Sequence, residues 1–194
     1  MFKEYSKEEV NGLPLLKYEG EVVVVNRLLD LKSCIKEIDQ YDIVGIDTES
    51  KPAFRKGEYN PISLIQIATP DKVFLLRINK TGFDQELVDY LKDPTYTKIG
   101  IGMTDDIRDL RKLKNFDPQG FVDLSKVAER IGLTKLGARN MVATLFHHRI
   151  SKSQQTSNWE NETLTESQIS YAATDAWICL KIYNKFSEKN LIPQ

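Results

Sequence analysis

Asp47 and Glu49 interrupt the apolar run Ile43-Val44-Gly45-Ile46-Asp47-Thr48-Glu49, and Asp106 follows a second one, Ile99-Gly100-Ile101-Gly102-Met103. Tyr171 and Asp175 lie four apart in Tyr171-Ala-Ala-Thr-Asp175-Ala-Trp-Ile-Cys-Leu, a stretch that is otherwise largely apolar. Carboxylates set into elements that must be buried are costly unless a positive group compensates them. No basic residue adjoins any of these in sequence. Hard divalent cations, which take oxygen ligands, are the natural compensation, and such ions point to phosphate chemistry.

The spacing sharpens the choice of residues. Two positions apart on a strand, Asp47 and Glu49 point to one face, where they repel each other unless a cation bridges them. On a helix starting near Asp106, that residue shares a face with Leu110 and Leu113, whereas Asp105 aligns with Asp109 and Lys112 on a solvated stripe. Asp106 is therefore the functional acid and Asp105 a cap or first-turn acid. Asp175 shares a helix face with Tyr171, Ile178 and Ile182, although Asp is a poor helix-interior residue. Tyr171 is either an ordinary core residue or, beside a metal-bound carboxylate, a hydroxyl that positions water.

The elements that carry these residues follow from periodicity. Glu21–Asn26, Ile43–Thr48, Ile62–Thr69, Lys72–Ile78 and Thr97–Gly102 read as strands. Leu28–Ile38, Phe83–Leu91, Asp106–Lys114 and a segment around Asn140–Phe146 read as helices. A last long helix opens on the capping box Thr165-Glu-Ser-Gln168 and runs to about Lys189. Three consecutive strands with short links predict a meander, hence a mixed sheet flanked by helices in an α/β fold. Residues 1–20 form an N-terminal extension, mobile or strapped over the core, and residues 21–194 a single domain.

Composition narrows the class. The 194 residues are 41% hydrophobic and 28% charged, with a net charge of −1. A protein that grips long duplex by charge alone is far more basic, so any contact with nucleic acid is expected to be local, in a cleft where metals neutralise the acidic ligands. No apolar stretch approaches the ~20 residues that span a bilayer, and the start has no apolar signal region, so a cytoplasmic location without membrane contact is expected. Cys34 and Cys179 are expected to be reduced core residues. His147-His148 reads as a polar helix end. Lys51, Arg55 and Lys56, after the first acidic pair, form a solvated loop that could meet a phosphate backbone.

Taken together, the motifs Gly45-Ile-Asp-Thr-Glu49, Gly100-Ile-Gly-Met-Thr-Asp-Asp106 and Tyr171-Ala-Ala-Thr-Asp175 resemble the DEDD superfamily of 3'-5' exonucleases, tyrosine subclass. Ser157-Asn-Trp159, Leu164-Thr165 and Gln168 place the likeness nearest the RNase D and Werner-type branches, over residues 21 to 188. The resemblance implies a ribonuclease H-like fold in which Asp47, Glu49, Asp106 and Asp175 hold two Mg²⁺ or Mn²⁺ ions. Tyr171 would orient the attacking water, because a phenol of pKa near ~10 is a poor base. The implied substrates are 3' ends of single-stranded DNA or RNA, released as nucleoside monophosphates. Thr48, Lys51, Phe54 and Arg108 are the nucleic-acid contacts expected, with Phe54 stacking on a terminal base. The rival expectation is an exonuclease-like fold that binds nucleic acid with little catalysis, or one that serves as a scaffold.

Overall fold

A computed structural model describes residues 2–55 and 57–192. Six strands form one sheet in the order β1-β4-β3-β2-β5-β6. They are β1 (Glu21–Val25), β2 (Ile43–Ser50), β3 (Ile62–Ala68), β4 (Lys72–Leu76), β5 (Thr97–Gly100) and β6 (Phe121–Asp123). The expected meander is present, since β2, β3 and β4 pair antiparallel, while β1, β5 and β6 join parallel. The sheet is thus mixed, and every residue of β3 is buried, as a central strand covered on both faces requires.

Helices α2 (Leu28–Ile38), α3 (Ile78–Thr81), α4 (Gln85–Lys92) and α5 (Thr104–Leu113) cover one face. Their apolar sides, among them Leu31, Ile35, Leu87, Leu91 and Leu110, pack with Ile46, Ile65 and Ile67 of the sheet. Helices α6 (Leu124–Arg130), α7 (Ala138–Phe146) and α8 (Glu166–Glu188) lie on the other face. The predicted capping box is formed at the start of α8, with Thr165 and Gln168 each accepting the other's backbone N–H. Both cysteines are buried and unbridged.

Most boundaries shift by one or two residues, and three of the shifts have a local reason. Strand β4 stops at Leu76 because the guanidinium of Arg77 turns inward to donate to the Asn26 side chain and to the carbonyls of Asn161 and Glu162. Strand β5 stops at Gly100, since the chain turns at Gly102 (φ 69°), whose N–H donates to Asp123 at 2.8 Å. Helix α5 then opens at Thr104, two residues early, so Asp105 and Asp106 both fall in its first turn.

Residues 2–20, including the short helix α1 (Lys7–Gly12), form a strap across α7 and α8. Leu16 N–H donates to the Arg149 carbonyl, Tyr18 N–H donates to Thr174 Oγ1, and the Tyr5 hydroxyl meets His147 Nδ1 at 2.7 Å. His147 ends α7 in the left-handed conformation, the polar helix end expected. No helix among the described residues is long and apolar enough to cross a membrane.

Candidate active site

The site is set by how closely α8 approaches β2. Alternation along the strand turns Gly45, Asp47 and Glu49 toward α8, and Ile46 and Thr48 toward α5. On α8 the residues against the sheet are Ala172, Ala173 and Ala176, all fully buried. A β-carbon placed on Gly45 would lie 2.1 Å from the Ala176 carbonyl oxygen, so the two backbones touch. That contact carries Asp175 to the carboxylates of β2. One oxygen each from Asp47, Glu49 and Asp175 lies within 4.8 Å of the other two.

Nothing cationic neutralises this group among the described residues: none of the three carboxylates has a lysine, arginine or histidine nitrogen within 4.0 Å. The consequence is visible in their acidity. Burial, reinforced by the charges of Asp175 and Asp106, pushes Asp47 well above the carboxylate range. Burial and Asp47 push Glu49 up to about 10. Burial raises Asp175 to about 7, with the Tyr171 hydroxyl and Lys152 pulling the other way. Three half-buried carboxylates without a counter-charge and with all-oxygen donors suit a hard divalent cation, and their protons would leave as it binds.

Asp106 stands beside this group but not in it. It is half-buried while Asp105 is exposed, and its Oδ1 accepts the Thr48 hydroxyl. It therefore approaches β2 from the face opposite α8. Burial raises its pKa against the pull of that hydrogen bond, and its charge is felt at both Asp47 and Glu49. Tyr171 lies on α8 one turn before Asp175, its ring 6.0 Å from that of the fully buried Trp159. Gln168 fixes the Trp159 segment, donating to Ser157 Oγ and to the Asn158 carbonyl. Burial, then Asp175, raises the Tyr171 pKa far above its ordinary value.

Sequence comparison decides the family. The sequence model described as 3'-5' exonuclease matches residues 22–190, which contain all five of these residues. The chain belongs to the 3'-5' exonuclease family. It is 31% identical over 187 residues to the bifunctional 3'-5' exonuclease/ATP-dependent helicase WRN of Mus musculus, covering 90% of this chain and 13% of that protein. It is also 31% identical over 159 residues to the human exonuclease 3'-5' domain-containing protein 2, covering 76% of this chain and 25% of that one. The chain thus spans a quarter or less of these curated relatives. In fold it resembles the Aedes aegypti Nibbler EXO domain, with TM-score 0.81, 22% identity and 91% of each chain covered. Escherichia coli RNase D superposes with TM-score 0.76 and 22% identity, over 91% of this chain and 47% of that one. The ribonuclease H-like α/β architecture expected from the resemblance is the one found.

The nucleic-acid contacts expected of this exonuclease-family chain are scattered. Thr48 faces away from the carboxylate group, its hydroxyl committed to Asp106. Lys51 and Phe54 follow β2 in a loop held by Glu58, which accepts the Phe54 and Arg55 backbone N–H groups. Phe54 is 80% exposed there. Lys56 lies outside the described residues. Arg108 is paired with Asp105 at 2.7 Å and with Asp109 at 3.4 Å on the surface of α5. Sequence reasoning missed the opposite wall. A groove of about 440 Å³ holding Asp47, Tyr171 and Asp175 is also lined by Arg139, Asn140, Lys152 and Gln155. The polar run Ser151-Lys-Ser-Gln-Gln155 just ahead of Ser157-Asn-Trp159 was the signal available for part of that wall.

Proposed function

We propose that this chain is a metal-dependent 3'-5' exonuclease that hydrolyses the terminal phosphodiester bond of single-stranded DNA or RNA and releases nucleoside monophosphates. The observation that carries the reading is the convergence of Asp47, Glu49 and Asp175 oxygens within 4.8 Å with no ion pair to any of them among the described residues. Asp47, Glu49, Asp106 and Asp175 are the residues that would hold two Mg²⁺ or Mn²⁺ ions. Four carboxylates and two dications balance in charge, which accounts for acidic groups left unpaired. Bound there, the ions supply an activated water and stabilise both the attacking and the leaving oxygen.

The chain's own groups do the rest. Tyr171, held protonated and braced by Trp159, donates a hydrogen bond to the water and orients it toward the phosphorus. Glu49, beside the irregularity between Glu49 and Ser50 in the β2–β3 pairing, would accept the terminal 3'-hydroxyl, which selects an end over an internal bond. Residues 21–194 are the exonuclease domain and 1–20 its extension. A cytoplasmic location belongs to the same proposal.

The test is product analysis: a 3'-labelled strand incubated with Mg²⁺ or Mn²⁺ should release the label as a nucleoside monophosphate. Retention of the strand without hydrolysis would instead identify a binding module.

A further inference from the structure

The groove that holds the carboxylates continues past them. Arg139, Asn140 and Lys152, which line it, also line a second hollow of about 400 Å³ whose other walls are Lys7 and Val10 of α1 and Lys135. Four of these six residues are cationic and none is acidic. Yet the chain has 27 basic and 28 acidic residues, so the cluster does not reflect a general excess of positive charge.

Nor are these cations neutralised. Among the described residues, none of Lys7, Lys135, Arg139 and Lys152 has a carboxylate within 4.0 Å. Glu4, nearby, spends its oxygens on the Thr134 hydroxyl and on the Thr134 and Lys135 backbone N–H groups. Two of the cations are nonetheless held in place. Lys135 Nζ donates to the Tyr5 carbonyl and Arg139 Nη2 donates to Asn11 Oδ1, both at 2.5 Å. Arg139 Nε is buried and has no acceptor. Like charges gathered in one concavity repel, and an anion seated among them relieves the repulsion.

We propose that this hollow is a phosphate-binding subsite for the backbone of the strand whose 3' end lies at the carboxylates. The proposal rests on the exonuclease reading and assigns the strap a role in it, because Lys7 comes from α1 and the carbonyl that anchors Lys135 comes from Tyr5. The groove then has two ends of opposite charge. Metals neutralise the acidic end at the bond to be cleaved, and the basic end takes phosphates further along the strand. Contacts of this kind carry affinity and register but no base preference, which fits an enzyme that removes successive nucleotides whatever their base.

The test is binding of a fluorescent single-stranded dodecamer to Asp47→Ala protein in Mg²⁺, measured by anisotropy between about 50 and 200 mM salt. Adding Lys7→Ala and Lys135→Ala, both at exposed positions, should weaken binding several-fold and reduce the slope of log K against log salt by about 0.7 per lost phosphate contact. Lys152→Ala, also exposed, supplies an independent variant should the first not fold. Lys36→Ala, on α2 outside the groove, should change neither quantity. An affinity and slope equal to those of the Asp47→Ala parent would overturn the subsite. Hydrolysis by the unaltered protein is measured alongside: an inactive chain whose variants still lose slope keeps the subsite and removes the exonuclease reading, whereas an active chain with unchanged slope does the reverse.

Discussion

Gly45 and Ala176 meet backbone to backbone: a β-carbon on the glycine would lie 2.1 Å from the alanine carbonyl oxygen. This single approach places a helix carboxylate, Asp175, among two strand carboxylates. Gly45→Ala must therefore push α8 from the sheet. Overpacking of this kind costs about 1–3 kcal/mol, or roughly 2–4 °C of Tm per kcal/mol in a domain of this size. A displacement near ~1 Å costs about 10²-fold in turnover. Thermal unfolding and hydrolysis rates measured together check both, and a Gly45→Ala protein with normal turnover would contradict this role for the contact.

Acidity gives the second prediction. In the folded, metal-free chain Asp175 titrates near 7 instead of 3.8, chiefly through burial. Between those values the folded protein holds a proton that the unfolded chain has released, so this group makes stability fall as pH rises from about 4 to 7. Glu49, raised to about 10 from 4.5, extends the fall in the same direction. Asp175→Asn replaces a buried ionisable group by a neutral one of the same shape. It should raise Tm in EDTA at neutral pH, flatten the pH dependence over that window, and abolish the Tm gain produced by Mn²⁺. Melting curves across pH for both proteins test the sign directly. A metal-free protein that gains stability over this window, with the asparagine variant unchanged, would contradict the assignment.

Thr48 supplies the third. Its hydroxyl donates to Asp106 from β2 to α5, so Thr48→Val removes a side-chain donor from that half-buried carboxylate, at a cost of about 1 kcal/mol. Partners that orient a metal ligand typically contribute roughly 10–100-fold in metal affinity. The Mn²⁺ concentration for half-maximal activity should rise accordingly in Thr48→Val and stay near normal in Thr48→Ser. An equal response of both variants would make Thr48 a packing residue only.

The sequence displayed the acids well and their surroundings poorly. Asp47, Glu49 and Asp175 stood out because a carboxylate on an apolar face breaks a period, and the meander was legible because its strands are consecutive. Asp106 was separable from Asp105 for the same reason, but its bond to Thr48 depends on a sheet crossing that no local pattern encodes. Ile78 reads as a strand residue, and only the inward turn of Arg77 ends β4 before it. The basic wall escaped notice because Lys7, the pair Lys135 and Arg139, and Lys152 come from three separate segments, each with ordinary surface composition. Arg108, chosen for its nearness in sequence to Asp106, is instead engaged by two acids on its own helix.

The measurement that bears most directly on the central claim is degradation of 5'-labelled single-stranded DNA and RNA by the purified chain with Mg²⁺ or Mn²⁺, beside Asp47→Ala. The account predicts a ladder that shortens from the 3' end and disappears with EDTA and in the variant, the faster of the two strands naming the preferred sugar. Both strands left intact, or cleavage that persists in Asp47→Ala, would contradict it.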